Sequence, residues 1–401
     1  MKSSNLKRLI PVLLILLSVG AFSVCNRRPS GGPKPLRLGW QPPWANQGQI
    51  VEVFKNSDVL PRNGIAVDFK AFTYGGPMTE AALAGEVDIL FVGNQPAITL
   101  ISRDPDWRII GRMVNYRSAI IVPPGSPLKS LSDLAGKKVL ATAFGSTTHR
   151  DAVQRLREVG LDTGKDVTVV NLDQAEHAAL IARDGSQRWL DTDAIATYDP
   201  TIAVALQGNR ARILKEWVST AVIVAHKNVV NNRADDLKRF LRAYIEAYTV
   251  YARDPDRFDT LYNADSRLPL PSSVYRGMAS YEPNLSARDT ASVNILLDAS
   301  QQDALQLNAD AALSIGIIKK RVDVRRSIDL HLAQEATEDF KKTGGQTNQQ
   351  NSSLTTGRPA GFEQTIVLGV CSQTSRRTCT YLLRLTTYPA IPTFSWPLTR
   401  L

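Results

Sequence analysis

The stretch Thr73–Ile98, TYGGPMTEAALAGEVDILFVGNQPAI, decides the fold. Gly75 and Gly76 permit a tight turn, and Pro77 suits a first helical position, where its missing N–H would have no partner anyway. Met78, Ala81, Ala82 and Leu83 form an apolar helical face that Gly85 brings to a stop. Val87 to Val92 is then an apolar run broken only by Asp88, the pattern of a parallel strand covered on both faces. It ends in Gly93-Asn94-Gln95-Pro96. In an open α/β sheet, ligands lie beyond the carboxyl ends of the strands, where such a loop sits.

The flanks repeat this rhythm. Leu36–Trp40 reads as a strand with the loop Gln41–Trp44 at its end, Ile50, Val51, Val53 and Phe54 as a helical face, and Ile65, Val67, Phe69 and Ala71 as an alternating strand. Three βα units within about a hundred residues argue a parallel α/β sheet. A second set starts at Ser118, with strands expected at Ala119–Val122, Val167–Val170 and Ala194–Tyr198 and a capped helix at Ser130–Leu134. Phe144–His149 leads into a helix with Val153, Leu156 and Val159 on one face, and Asp173–Arg183 forms another. A return strand is expected at Ala221–Ala225. Leu237, Phe240, Leu241, Tyr244, Ile245, Tyr248 and Tyr251 then recur at helical spacing, and further helices are expected after Ser272, Ser286 and Asn308.

The formal charge of +10 invites a nucleic-acid reading, but its distribution removes it. Residues 1–38 carry seven Lys/Arg and no acid, and residues 341–401 carry seven Lys/Arg against Glu363, which leaves residues 39–340 at −3. That body has no basic stripe for a phosphate backbone. Lys2, Lys7 and Arg8 precede an apolar run from Leu9 to Phe22, a secretory layout too short for a comfortable membrane span. No cysteine lies between Cys25 and Cys371, so the body has neither a disulfide framework nor a thiol nucleophile. His177, His226 and His331 lack Cys, Asp or Glu at metal-ligand spacing, and no cofactor motif is present.

The phrases GGPMTEAALAGEVDILFVGNQPAI and Ser130–Val139, SLSDLAGKKV, resemble the periplasmic substrate-binding proteins of ABC importers, in the branch serving aliphatic sulfonates, taurine, nitrate and thiamine-pyrimidine precursors. The resemblance covers about Leu36 to Phe340. It implies a type II, two-lobed α/β fold with a hinge and an interlobe cleft. The expected organisation is a signal peptide over 1–25, a Pro/Gly-rich linker over 26–35, the first lobe over 36–117 and the second over 118–230. Helices over 231–340 return to the first lobe, and 341–401 is a low-complexity or disordered tail. Cys25 resembles the lipid-modified cysteine of bacterial lipoproteins.

If the lobes face each other, four strand-end loops meet at the cleft: Trp40, Gln41 and Trp44; Gly76 with its neighbours; Asn94 and Gln95; and Ser146, Thr147 and Thr148 with His149. A Gly-Ser-Thr-Thr helix start presents free N–H groups at the positive end of a helix dipole, a ready anion site, though plain N-capping by Ser146 explains it equally well. The resemblance implies ligand contact there and at the aromatic-Asp-Pro loop, here Tyr198 and Asp199. Asp199 would accept from a ligand amine or cap the following helix as an Asx turn. The expected function is extracytoplasmic capture of a small organic anion or zwitterion for an ABC permease and its ATPase, without catalysis and without nucleic acid. The alternatives are pyrimidine-precursor binding, an enzyme resembling the thiamine-pyrimidine synthases, which need an internal cysteine-rich iron site, and a sensor that does not transport.

Overall fold

The structure is a computed structural model that describes residues 34–183, 189, 191–267 and 270–352, with side chains as far as Lys342. The first hundred residues alternate β1 (Leu36–Trp40), α1 (Ala45–Asn56), α2 (Val59–Arg62), β2 (Val67–Ala71), α3 (Gly75–Leu83), β3 (Ile89–Gly93) and α4 (Asn94–Arg103). Next come β4 (Trp107–Val122), β5 (Lys138–Ala141), α5 (Thr147–Glu158), β6 (Thr168–Asn171), α6 (Gln174–Arg183), β7 (Ala194–Tyr198), α7 (Thr201–Gln207) and β8 (Arg212–His226). Helices α8 (Lys227–Asn232), α9 (Ala234–Arg253), α10 (Pro255–Ser266), α11 (Ser272–Ala279), α12 (Ala299–Ser314) and α13 (His331–Ser352) complete the described chain.

The eight strands form one mixed sheet in the order β2-β1-β3-β8-β4-β7-β5-β6. β1 is parallel to β2 and β3, and β5 is parallel to β6 and β7. Between these two parallel sets run β8 and β4, antiparallel to each other and to their outer neighbours. β3 shows why its run of apolar residues needed no polar face. Ile89 and Phe91 enter one core with α1 and α9, while Leu90 and Val92 enter a second core with α4 and α12. Asp88, the one interruption, sits before the strand with Arg37 on its carboxylate at 2.6 Å.

Two strands are longer than the sequence suggested. The strand expected to begin at Ala119 is the second half of the 16-residue β4, so the lobe boundary placed at Ser118 falls inside a strand. The expected return strand Ala221–Ala225 is likewise the end of the 15-residue β8. The apolar pattern of β4 is broken by Arg112, Asn115 and Arg117, which disguise its continuity. Arg112 pairs with Glu282 and with the carbonyl of Asn294, and Arg117 with Asp199. Irregular register near Gly111, Val114 and Ile121 absorbs the remaining mismatch between β4 and β8.

The helical region departs in detail. All seven apolar residues expected on α9 are buried. After Ser286 there is only a short turn at Thr290–Ser292, and α12 starts at Ala299, because Asp298 and Gln301 form a capping box ahead of it. α13 runs through Lys341 to Ser352, where a polar linker was expected, and Lys342 reaches back towards Glu338. The expected signal peptide, Cys25, Cys371, Cys379 and nearly all of the expected tail lie outside the described residues. No helix among the described residues is long and apolar enough to cross a membrane.

Two buried groups generate predictions. Arg112 and Glu282 are almost fully buried, and Glu282 also accepts from the amides of Asn115 and Asn284. Glu282→Gln leaves the guanidinium uncompensated and is expected to cost about 3–5 kcal/mol in a urea melt. His177 is fully buried with neither ring nitrogen partnered, and burial pushes its pKa down to about 4. A base depressed on folding stabilises the fold above its unfolded value near 6.5 and loses that contribution as pH falls towards 4. His177→Leu is therefore expected to remove on the order of 2 kcal/mol of acid sensitivity between pH 7.5 and pH 5, read from melting curves.

Candidate functional site

Five helices start at the wall of one cavity. Trp44, Tyr74, Gly93 and Ser146 are the N-cap residues of α1, α3, α4 and α5, and Gln174 opens α6; all five line a space of about 150 Å³. Each helix start leaves backbone N–H groups without an intrahelical acceptor and carries the positive end of the helix dipole. The N-cap residues of α1 and α3, Trp44 and Tyr74, make no side-chain capping hydrogen bond, and that of α4 is a glycine. At α5, the Ser146 hydroxyl accepts from the His149 amide at 3.1 Å and shares a 2.7 Å hydrogen bond with Thr142.

The starts of α4 and α5 meet directly. The hydroxyl oxygen of Thr147 accepts from the Gln95 amide at 3.1 Å, so a residue of α5 satisfies a donor of α4. Glycine at position 93 permits the approach, because a Cβ there would lie 2.6 Å from that oxygen. An aromatic corner closes another side. The Trp44 ring stands edge-on to Tyr116 at 4.6 Å and to Tyr198 at 5.7 Å, with the two tyrosines 6.0 Å apart. Burial raises both phenol pKa values, so the rings stay neutral. The Trp44 indole N–H is buried without a partner. Among the described residues that line the cavity, Asp173 at the exposed rim is the single charged side chain.

The family described as "ABC transporter, phosphonate, periplasmic substrate-binding protein" matches residues 59–254. A protein of Escherichia coli K12 named for aliphatic sulfonate binding is 27% identical over 78% of this chain and 93% of its own length. A Bacillus subtilis 168 protein of the same name is 26% identical over 84% and 98%. Over most of its length the chain is similar to the substrate-binding proteins of ABC importers. Among solved structures, the alkanesulfonate-binding protein SsuA from Xanthomonas axonopodis pv. citri bound to MOPS matches with TM-score 0.60 and 22% identity, over 75% of this chain and 100% of that one. That likeness confirms the two-lobed periplasmic-binding-protein fold, and the family's description places its members outside the cytoplasm.

The cavity takes up six of the residues expected at the cleft: Gln41, Trp44, Ser146, Thr147, Thr148 and Tyr198. Five others lie elsewhere. Trp40 packs into the core with the Lys55 ammonium 4.5 Å above its ring. Gly76 is off the cavity because the chain turns one residue earlier, at Gly75. Asn94 is turned away, donating to the Thr220 carbonyl at 2.9 Å and accepting from Arg150 at 3.0 Å. The Gln95 side chain donates to Thr99, and only its amide faces Thr147. Asp199 is buried and held by Arg117 at 2.8 and 3.1 Å, and it accepts from the Ala203 amide at 3.1 Å. Burial raises its pKa while Arg117 works against that shift. Asp199 thus caps α7 and has no oxygen directed at a ligand amine.

No sequence signal pointed to Tyr116, hidden in the middle of β4, and little pointed to Thr142 or Gln174. His149 faces inward under the Phe144 ring at 4.9 Å, off the cavity, and burial holds its pKa down to about 4. His226 is not isolated: one ligand atom each from Asp104, Asp106 and His226 lies within 4.8 Å of the others, although Lys227 and Arg108 already approach Asp106. Chain separation hid that cluster from a spacing argument. Thr147→Val keeps the shape at the meeting of α4 and α5 but orphans the buried Gln95 amide. The expected loss is about 1–3 kcal/mol in chemical denaturation.

Proposed function

We propose that this protein captures a small organic monoanion of the sulfonate type outside the cytoplasm and presents it to an ABC permease and its ATPase. The observation that carries the reading is the convergence of five helix starts, three without side-chain caps, on a cavity that no Lys or Arg among the described residues lines. Backbone amides and hydroxyls suit a tetrahedral head with three acceptor oxygens and a single delocalised charge. A dianion such as a phosphonate above its second pKa would be buried with a second charge and no cation beside it, an expensive arrangement. The names of the Escherichia coli and Bacillus subtilis relatives agree with a sulfonate, and the phosphonate label of the family describes the family rather than this cavity.

The amides of Thr147 and Thr148 and the Thr142 and Ser146 hydroxyls are the groups we assign to the anionic head. Trp44, Tyr116 and Tyr198 would wall the carbon portion. Closure of the two lobes on β4 and β8, at about Ser118 and Ser219, would create the form that the permease reads. We read the site as binding without bond chemistry. The desulfurization enzyme DSZB shares the fold at 16% identity and a TM-score of 0.55, a likeness that shows the fold alone. Taurine is disfavoured relative to an amine-free sulfonate, because Asp199 is already paired. We also propose that Cys25 carries a lipid anchor after cleavage of the signal peptide.

The test is a thermal-shift and calorimetric comparison of methanesulfonate, methylphosphonate at pH 8.5, taurine and nitrate. Methanesulfonate at a hundred times its dissociation constant is expected to add about 2.7 kcal/mol of stability. Methylphosphonate is expected to bind at least tenfold more weakly. No shift with any sulfonate, or tighter binding of the phosphonate dianion, overturns the proposal. Cys25→Ser is expected to move the protein from the membrane to the soluble extracytoplasmic fraction.

A further inference from the structure

A buried arginine joins the two parallel strand sets beside the cavity. Helix α4 follows β3 in one set, and α5 follows β5 in the other. Arg150, one turn into α5, is fully buried. Its Nη2 donates to the Asn94 side-chain oxygen of α4 at 3.0 Å and to Asp151 of its own helix at 2.5 Å. Both acceptors are tied to β8: Asn94 donates to the Thr220 carbonyl at 2.9 Å, and Asp151 accepts from the Trp217 indole and the Ser219 hydroxyl, each at 2.9 Å. Arg150 does not line the cavity, so its part is not ligand contact.

The neighbours of this bond do line the cavity. Gly93 precedes Asn94, and Thr147 stands one turn before Arg150 and accepts from the Gln95 amide. The starts of α4 and α5 therefore meet twice, at Thr147 with Gln95 beside the cavity and at Arg150 with Asn94 off it. Asp151 by itself would anchor α5, through Trp217 and Ser219. The bond to Asn94 does a different job, since it runs from one strand set to the other. We propose that Arg150 is a latch between the lobes, a positioning residue that holds the starts of α4 and α5 together and so sets how long the bound ligand stays. This inference rests on the closure reading above. A charge-assisted bond shielded from water is a strong one. The Nε and Nη1 atoms have no partner among the described residues, so the loss of Asn94 leaves the guanidinium with Asp151 alone. Water reaches those donors once the helices part, which keeps the latch reversible.

A double-mutant cycle on the full chain tests it, with methanesulfonate release followed by stopped-flow tryptophan fluorescence. Asn94→Ala is expected to speed release about tenfold where Arg150 is present and less than about twofold in an Arg150→Met background. Association is expected to stay the same in all four proteins, because the ligand enters before the lobes close. Equal acceleration in both backgrounds would assign Asn94 to its Thr220 bond alone and overturns the latch, as does release that Asn94→Ala leaves unchanged. Hydrogen exchange of the ligand-free proteins reads the same bond without any anion. Asn94→Ala is expected to raise exchange at the Gln95 amide only where Arg150 is present, and exchange independent of Arg150 overturns the latch. Methanesulfonate binding without the kinetic coupling leaves the anion site standing. If no sulfonate binds, the anion reading falls, and exchange at Gln95 decides the latch.

Discussion

Everything in this protein hangs on the antiparallel pairing of β4 with β8. The two strands are in register from Trp107 opposite His226 to Val122 opposite Arg212. β3 joins one end of β8, with Gly93 opposite Ala221, and β7 joins the far half of β4, with Ser118 opposite Tyr198. Each parallel set of strands is therefore attached to the same two-stranded ribbon. The ends of β1, β3, β5 and β7 all lead into loops that reach one cavity. A ribbon shared in this way can twist or bend without breaking either set.

That ribbon carries charges through the interior, and the rest of the chain is arranged to meet them. Glu282, from the segment after α11, reaches Arg112, and Asp199, from the loop after β7, reaches Arg117. Such pairs add little stability compared with apolar residues of the same shape, but losing one partner is costly. Here they fasten the C-terminal segment and the β7 loop to fixed points of β4. The pairing also explains why Asp199 is spent on structure although it stands beside Tyr198 at the cavity.

The site itself is built from backbone. Helix starts supply the positive potential, and among the described residues the cavity is lined by no lysine or arginine, its one charged side chain being Asp173 at the exposed rim. The field of a helix dipole falls off within its first turn. Selection then depends on shape, on hydrogen-bond geometry and on the cost of burying a second charge, rather than on long-range attraction.

The sequence by itself determined the alternation of strands and helices, the covered faces of β3, the long apolar stripe of α9 and the loops at strand ends, because these follow from local periodicity and turn chemistry. It named Trp44, Gln41 and the Ser146–Thr148 turn, since residues at strand ends must lie on that side of the sheet, whereas Tyr198 came from the resemblance to the family's aromatic-Asp-Pro loop. Only the tertiary structure decided which of those side chains face the cavity. Asn94 and Asp199 had partners far along the chain, Arg150 and Arg117, that no spacing rule connects. Tyr116 was hidden because the polar residues of β4 mask its length until their partners are seen. The convergence of five helix starts likewise depends on strands from distant parts of the chain ending at the same place, and pairing across the sheet is a long-range property.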